Sequence, residues 1–121
     1  MWVLKAEEDW LGANELAALK PPLRDLACFH CQQSAEKYLK GLLQEKGVVA
    51  PKTHDLDHLL DLLLPYDGTL STLRRGLDTL NSYAVEYRYP AFRATITRMN
   101  AAIRRTEKIR AAVRDRLGLE I

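Results

Sequence analysis

The C-terminal segment carries an apolar or small residue at every third or fourth position, a spacing that places all of them on one side of an α-helix. This pattern predicts a helix from Ala91 to about Leu117. The stripe consists of Phe92, Ile96, Met99, Ile103, Thr106, Ile109, Val113 and Leu117. Because one face of such a helix must be buried, the chain needs further elements to pack against it.

The rest of the chain also shows helical spacing, and no segment alternates apolar and polar residues as a strand would. Lys20-Pro21-Pro22 ends the first predicted helix, and Gly47 suits the left-handed end of the second. Thr53 or Asp55 is the expected N-cap of the third. Four helices are predicted before the C-terminal one, over Val3 to Leu19, Leu23 to Lys46, Leu56 to Leu64 and Ser71 to Tyr83. The fold class is therefore all-α, a bundle of about five helices.

Length and composition favour one folded domain covering residues 1–121. The chain is 47% hydrophobic and 28% charged, with 6 Gly and 5 Pro, which excludes collagen-like and disordered classes. The formal net charge of +2 does not by itself indicate a nucleic-acid binder. The chain shows no secretory signal and no apolar run long enough for a membrane span, so we expect a cytoplasmic protein.

Two cysteines form a C-x-x-C pattern on the second predicted helix. A redox motif of this kind would follow a strand, a haem motif would have His after Cys31, and a zinc site would need more ligands. Both thiols also belong to the apolar stripe of that helix, so we expect them to pack in the core. They also indicate a reducing compartment, since two cysteines are too few for a secreted disulfide framework.

His54 and His58 lie one helical turn apart, a spacing that can place two imidazoles on one metal ion. The glutamate of the H-E-x-x-H motif is missing, and no third ligand can be identified. We therefore predict no metal, no cofactor and no catalytic residue from this pattern, and capping or surface roles are favoured.

The last helix and the residues just before it are strongly basic, with eight Lys and Arg from Arg93 to Arg116 against only Glu107 and Asp115. Phosphates are bound largely by such cations, so the face is a candidate surface for RNA, nucleotide phosphate or an acidic protein. The alternative is a solvated helix face with cations near its C-terminal end.

Tyrosines and an arginine are concentrated in the segment that ends at Pro90. Tyr83, Tyr87 and Tyr89 could stack on a base or ribose while Arg88 pairs with a phosphate. Alternatively, the segment is a plug between helices in which Arg88 ties down helix ends. The sequence leaves both interpretations open.

Four stretches of the sequence together form a recognisable set: Trp10 with the first helix, Cys28 to Leu43, Lys52-Thr53-His54-Asp55-Leu56 and Tyr87-Arg88-Tyr89-Pro90. In this order they resemble the HEPN domain, a small helical domain of prokaryotic proteins and higher eukaryotes. The resemblance implies an up-and-down bundle that is commonly a homodimer. It also implies a minimal nucleotidyltransferase as partner, in a pair that acts as toxin and antitoxin, and nucleotide binding has been proposed for the family.

Ribonucleases of the wider family carry an arginine followed four to six residues later by histidine. Arg88 lies in a comparable region, but no histidine occurs between Tyr89 and Ile96. Arg24 and His30 have a suitable spacing, although they lie at the start of the second helix, away from the family's position. The proton donor or base that cleavage requires is therefore missing from the pattern.

Two functions are compatible with these observations. The first is a binding module that is not itself an enzyme, whose ligand-binding candidates are Lys37, Lys40, His54, Tyr83, Tyr87, Arg88 and Tyr89. The second is an RNA-cleaving toxin that uses Arg88 with Tyr87, Tyr89 or His30 as an acid or base. The sequence favours the first, because the requirements of the second are incomplete.

Overall fold

The computed structural model of the chain describes residues 1–121, and all of the regular structure is helical. The helices are α1 (Trp2–Ala18), α2 (Arg24–Glu45), α3 (Leu56–Leu63), α4 (Arg74–Asn81), α5 (Tyr83–Glu86) and α6 (Ile96–Arg116). A 3₁₀ segment, Gly68–Leu73, leads into α4. Five of the helices have eight residues or more, so the predicted all-α bundle of about five helices is confirmed.

Helix α2 is the centre of the bundle, because it contacts α1, α3, α4, α5 and α6. Its sequence explains this position, since 13 of its 22 residues are buried, far more than one amphipathic stripe provides. Both cysteines are among them and are free thiols, as the sequence predicted. Burial of each large apolar side chain contributes about 1.5–3 kcal/mol, so α2 provides much of the stability of the fold.

Local capping explains where several helices begin and end. Asp55 caps α3 by accepting the N–H of Asp57 at 3.0 Å, which confirms one of the two predicted caps. Gly47 follows the end of α2 with φ of 76°, in the left-handed region that favours glycine. None of the helices combines the length and apolarity that a membrane crossing requires.

The last helix begins later than its apolar stripe predicts. It starts at Ile96 rather than Ala91, because the Thr95 side chain caps it by accepting the N–H of Arg98 at 3.0 Å. Residues 91–94 instead remain in a loop whose Ala94 N–H is donated to α2. Ile96 is accordingly exposed at the end of the bundle, although the rest of the stripe packs inward.

The predicted helix from Ser71 to Tyr83 is also divided differently. Its first residues belong to the 3₁₀ segment, which Asp67 caps by accepting the N–H of Thr69 at 3.0 Å. Helix α4 then ends at Asn81, whose side chain accepts the N–H of Leu56 at 2.8 Å. The single residue Ser82 separates α4 from the short helix α5, which brings residues 87–90 back beside α2.

Candidate functional site

Residues 87–90 form a sharp corner between α5 and the loop before α6, and we call this segment the corner. Consecutive turns shape it: Arg88 N–H donates to the Val85 carbonyl at 3.0 Å, and Tyr89 N–H donates to the Glu86 carbonyl at 3.0 Å. Pro90 then prevents further helix, because its ring removes a donor and fixes the backbone. The side chains of the corner therefore point outward from the end of the bundle.

Asp25, at the start of α2, holds the loop that follows the corner. One carboxylate oxygen accepts the Ala94 N–H at 2.6 Å, and the other lies 3.6 Å from the Arg93 guanidinium. The same Arg93 group donates to the carbonyls of Pro90 at 3.2 Å and Phe92 at 2.8 Å. This set of bonds fixes the backbone of the corner against α2.

The two tyrosines of the corner are exposed, and one of them is held by stacking. The ring of Tyr87 lies 4.6 Å from that of Phe29 on α2, with 26° between their planes. Tyr87 still exposes 40% of its surface and Tyr89 exposes 61%. A tyrosine whose plane is fixed and whose surface remains open is suited to stacking on a planar ligand.

Tyr83 has a different position, because it is buried behind the corner with 2% of its surface exposed. Its hydroxyl accepts from Arg98 Nε at 3.2 Å, and the Arg98 guanidinium lies 5.1 Å from the centre of its ring. Burial raises the pKa of Tyr83 above its ordinary value. Tyr83 therefore packs inside the bundle behind the corner, where a ligand does not reach it directly.

Arg88 is the arginine of the corner, and it has no partner. It is exposed, and its guanidinium takes part in no hydrogen bond or ion pair within the chain. Two other arginines nearby are paired with carboxylates, Arg93 with Asp25 at 3.6 Å and Arg98 with Glu86 at 3.3 Å. Arg88 thus keeps both its charge and its hydrogen-bond donors available to a ligand.

A cleft of about 320 Å³ opens beside the corner. Leu23, Leu26 and Tyr87 supply its apolar walls, Arg24 supplies a positive charge, and Arg93 and Asp25 line it as an ion pair. This combination suits a ligand with a planar, partly apolar group and an anionic group, such as a nucleotide. The sequence offered no signal for the cleft, because its walls come from segments about 60 residues apart along the chain.

Lys37 lies on α2 in a separate cluster with α1. Its ammonium group donates to one Asp9 oxygen at 2.6 Å, and His30 Nδ1 lies 2.7 Å from the other. Because an ionised carboxylate only accepts hydrogen bonds, His30 donates through Nδ1. Asp9 is almost fully buried, so it neutralises Lys37 and orients His30.

Lys40 and His54 share a third cluster, centred on the buried carboxylate of Glu36. Lys40 pairs with Glu36 at 3.0 Å, and His54 Nδ1 lies 2.8 Å from its other oxygen. Lys40 is only 6% exposed and lies 5.4 Å from the centre of the Trp2 ring. Gln32 also donates to the His54 carbonyl at 3.0 Å, so the cluster joins α2 to the loop before α3.

The structure therefore brings three of the seven candidate residues, Tyr87, Arg88 and Tyr89, together on an open surface. Tyr83 supports them from inside. Lys37 pairs with Asp9 of α1, and Lys40 and the exposed His54 pair with Glu36 of α2. Lys40 does not reach solvent, because Trp2 and Glu36 cover it.

The sequence matches the HEPN domain family over residues 1–116. The crystal structure of TT1696 from Thermus thermophilus is similar, with a TM-score of 0.76, 30% identity and 94% of each chain covered. The crystal structure of ST0689, an archaeal HEPN homologue, has a TM-score of 0.75 and 24% identity, with 95% of this chain and 93% of that chain covered. No curated protein matches the sequence. The family match spans nearly the whole chain, and the chain therefore belongs to the HEPN domain family.

Proposed function

We propose that this chain is a cytoplasmic binding module, the partner of a minimal nucleotidyltransferase in a toxin-antitoxin pair, and that its corner holds a nucleotide or RNA. Membership of the HEPN family supports the class of partner. The main observation that supports ligand binding is that Arg88 is exposed, has no partner in the chain and lies between two exposed tyrosines. No catalytic residue is required for this role.

The ligand's base and phosphate would be held by different groups of the corner. Tyr87, held by Phe29, offers a fixed ring for a base, and stacking of this kind contributes about 1–3 kcal/mol. Arg88 donates to a phosphate, and a hydrogen bond to a charged group contributes about 1.5–3 kcal/mol. Arg24 in the adjacent cleft adds a second cation.

One observation favours a second function, cleavage of RNA. His30 is half-buried, Asp9 orients it through Nδ1 at 2.7 Å, and its other ring nitrogen has no partner in the chain. A histidine oriented by a carboxylate is a common general base. Its ring also lies 5.4 Å from Phe29, the residue that stacks on Tyr87. A ribonuclease would thus combine Arg88 with His30.

Incubation of the purified protein with total RNA separates the two functions. The binding module shifts the RNA in a native gel without cutting it, and Arg88→Ala removes the shift. Arg75→Ala is the matched control, since Arg75 is an exposed arginine of α4 without an ion pair. Cleavage that both Arg88→Ala and His30→Ala abolish would replace the binding module with the ribonuclease. An unchanged shift in Arg88→Ala would contradict the role of the corner.

The partner is tested by co-purification. A minimal nucleotidyltransferase encoded in the neighbouring reading frame is expected to co-purify with the tagged chain when the two are expressed together. Failure of the two purified proteins to associate at micromolar concentrations would contradict this part of the proposal and leave the RNA result unaffected.

We also propose a homodimer, as is common in the family. Partly exposed apolar side chains support it, because Leu19 and Leu23 lie before α2 and Leu26 and Phe29 follow on that helix. Light scattering at tens of micromolar is expected to give twice the monomer mass of 13.8 kDa. A mass equal to the monomer at that concentration would contradict the dimer.

A further inference from the structure

The basic residues of α6 divide into two groups, and only one group is used within the fold. Four of the seven are engaged: Arg98 with Glu86, Arg110 with Glu7, Arg116 with Asp67, and Arg114 with the Tyr38 hydroxyl. The other three, Arg104, Arg105 and Lys108, take part in no side-chain hydrogen bond or ion pair. The unused cations are therefore neighbours in the middle of the helix.

These three cations line one depression. Arg104 and Lys108 lie one helical turn apart on the same side of α6, and Arg105 lies beside them. A cavity of about 230 Å³ is lined by the three together with Ala101. The small Ala101 side chain leaves the space between the charged groups open. We call this cavity the α6 groove.

Helix α4 fixes the position of Arg105. A Cβ added to Gly76 would lie 3.4 Å from Arg105 Cδ and 3.7 Å from its Cβ, so the aliphatic part of Arg105 packs on the glycine. A smaller cleft continues from Arg105 and Lys108 to Thr72, at the end of the 3₁₀ segment. The guanidinium is thus positioned by packing of its stem, and no acidic residue neutralises it.

Three cations on adjacent positions repel one another, and the fold supplies no carboxylate to offset the repulsion. The acidic residue of this stretch, Glu107, is exposed and makes no ion pair with them. No aromatic side chain lines the α6 groove, so a ligand would be recognised by its charge and without base stacking. Arginine forms paired hydrogen bonds with phosphate oxygens, and lysine adds a point charge.

We propose that the α6 groove, through Arg104, Arg105 and Lys108, is a binding site for clustered phosphate groups, separate from the corner. Clustered phosphates occur in the triphosphate of a nucleotide and along an RNA strand, and the same three cations serve either. The site does not depend on the proposed function, since it uses none of the residues of the corner.

Calorimetric titration with inorganic tripolyphosphate tests the site directly. The triple variant Arg104→Gln, Arg105→Gln, Lys108→Gln is expected to bind at least about tenfold more weakly, a loss of about 1.4 kcal/mol. The matched control is Lys5→Gln, Lys46→Gln, Lys52→Gln, which removes the same charge from three exposed residues without ion pairs. The control is expected to bind as the unaltered chain does.

No measurable binding by the unaltered chain would overturn the proposal, as would equal weakening in the two triple variants. Circular dichroism confirms that each variant is folded before titration. Unchanged tripolyphosphate binding in the α6 triple variant, together with loss of binding in Arg88→Ala, would assign the phosphates to the corner and overturn the α6 groove as a site.

Competition then identifies the source of the phosphates. Displacement of tripolyphosphate by ATP but not by oligouridylate assigns the α6 groove to nucleotide polyphosphate. Displacement by oligouridylate assigns it to an RNA backbone. The slope of the logarithm of the RNA-binding constant against the logarithm of the salt concentration should then be smaller in magnitude by about 2 in the α6 triple variant than in the unaltered chain. Displacement by neither would overturn the assignment to a cellular phosphate ligand.

Discussion

The Asp25 carboxylate accepts the main-chain N–H of Ala94 at 2.6 Å, a bond that joins residues 69 positions apart. It connects the first turn of α2 to the loop between the corner and α6. The corner therefore owes its conformation to α2 as much as to its own turns and proline. Because Asp25 also faces Arg93, one side chain controls both the backbone and the charge of this region.

Replacing Asp25 with alanine is expected to destabilise the fold by about 1.5–3 kcal/mol, because the Ala94 N–H loses a charged acceptor. Thermal and urea unfolding followed by circular dichroism measure the change. Asp25→Asn is the conservative control, since it keeps an oxygen acceptor in the same place and should retain much of the stability. Equal stability of Asp25→Ala and the unaltered chain would show that the bond does not hold the corner.

The ion pair of Glu7 with Arg110 makes the free energy of unfolding depend on pH. Two hydrogen bonds from Arg110, both at 2.7 Å, and one from the Tyr38 hydroxyl hold the pKa of Glu7 below its ordinary value of 4.5. Since the folded state binds the proton less readily, the ion pair stabilises the fold fully above the ordinary pKa. This contribution declines as the pH falls through the lower, folded-state pKa.

Glu7→Gln is accordingly expected to be less stable than the unaltered chain at neutral pH and to lose less stability on acidification. Urea unfolding at a series of pH values from neutral to below the ordinary pKa of Glu7 measures both effects. Glu15→Gln provides the control, because it removes an exposed carboxylate of α1 that makes no ion pair. Parallel curves for Glu7→Gln and the unaltered chain would refute the role of the pair.

The two cysteines are expected to be inert in the folded protein. Burial raises the pKa of Cys28 to about 11 and that of Cys31 to about 12, so little thiolate is present at pH 8. Iodoacetamide should therefore modify neither thiol until the protein is unfolded in urea, as followed by mass spectrometry. Rapid modification of the folded chain would mean that the C-x-x-C pattern is open to solvent and chemically active.

Local patterns in the sequence were sufficient for the long helices and for much of the core, but not for the division of residues 68–86 into a 3₁₀ segment, α4 and α5. The stripe on α6 and the buried cysteines follow from spacing alone, because one face of each helix must be covered. The start of α6 could not be found in this way, since Ala94 donates to a residue of a distant helix. Phe92 continues the spacing although it lies in the loop.

The candidate site was predictable only where its residues are adjacent in the chain. Tyr87, Arg88 and Tyr89 form a visible cluster in the sequence, but whether each faces solvent depends on packing. Tyr83 lies four residues earlier and is buried, because Arg98 and Phe92 cover its ring. Lys40 is likewise buried by contact with a distant segment, because it packs against Trp2, and no local pattern indicates this contact.

The most direct test of the account is the affinity of a fluorescently labelled oligoribonucleotide for the chain, measured by anisotropy at fixed ionic strength. Loss of a charged hydrogen bond of about 1.5–3 kcal/mol should weaken binding by Arg88→Ala at least about tenfold. Arg75→Ala should bind nearly as well as the unaltered chain, and all three proteins should melt at similar temperatures. Equal affinities for Arg88→Ala and Arg75→Ala would contradict recognition at the corner.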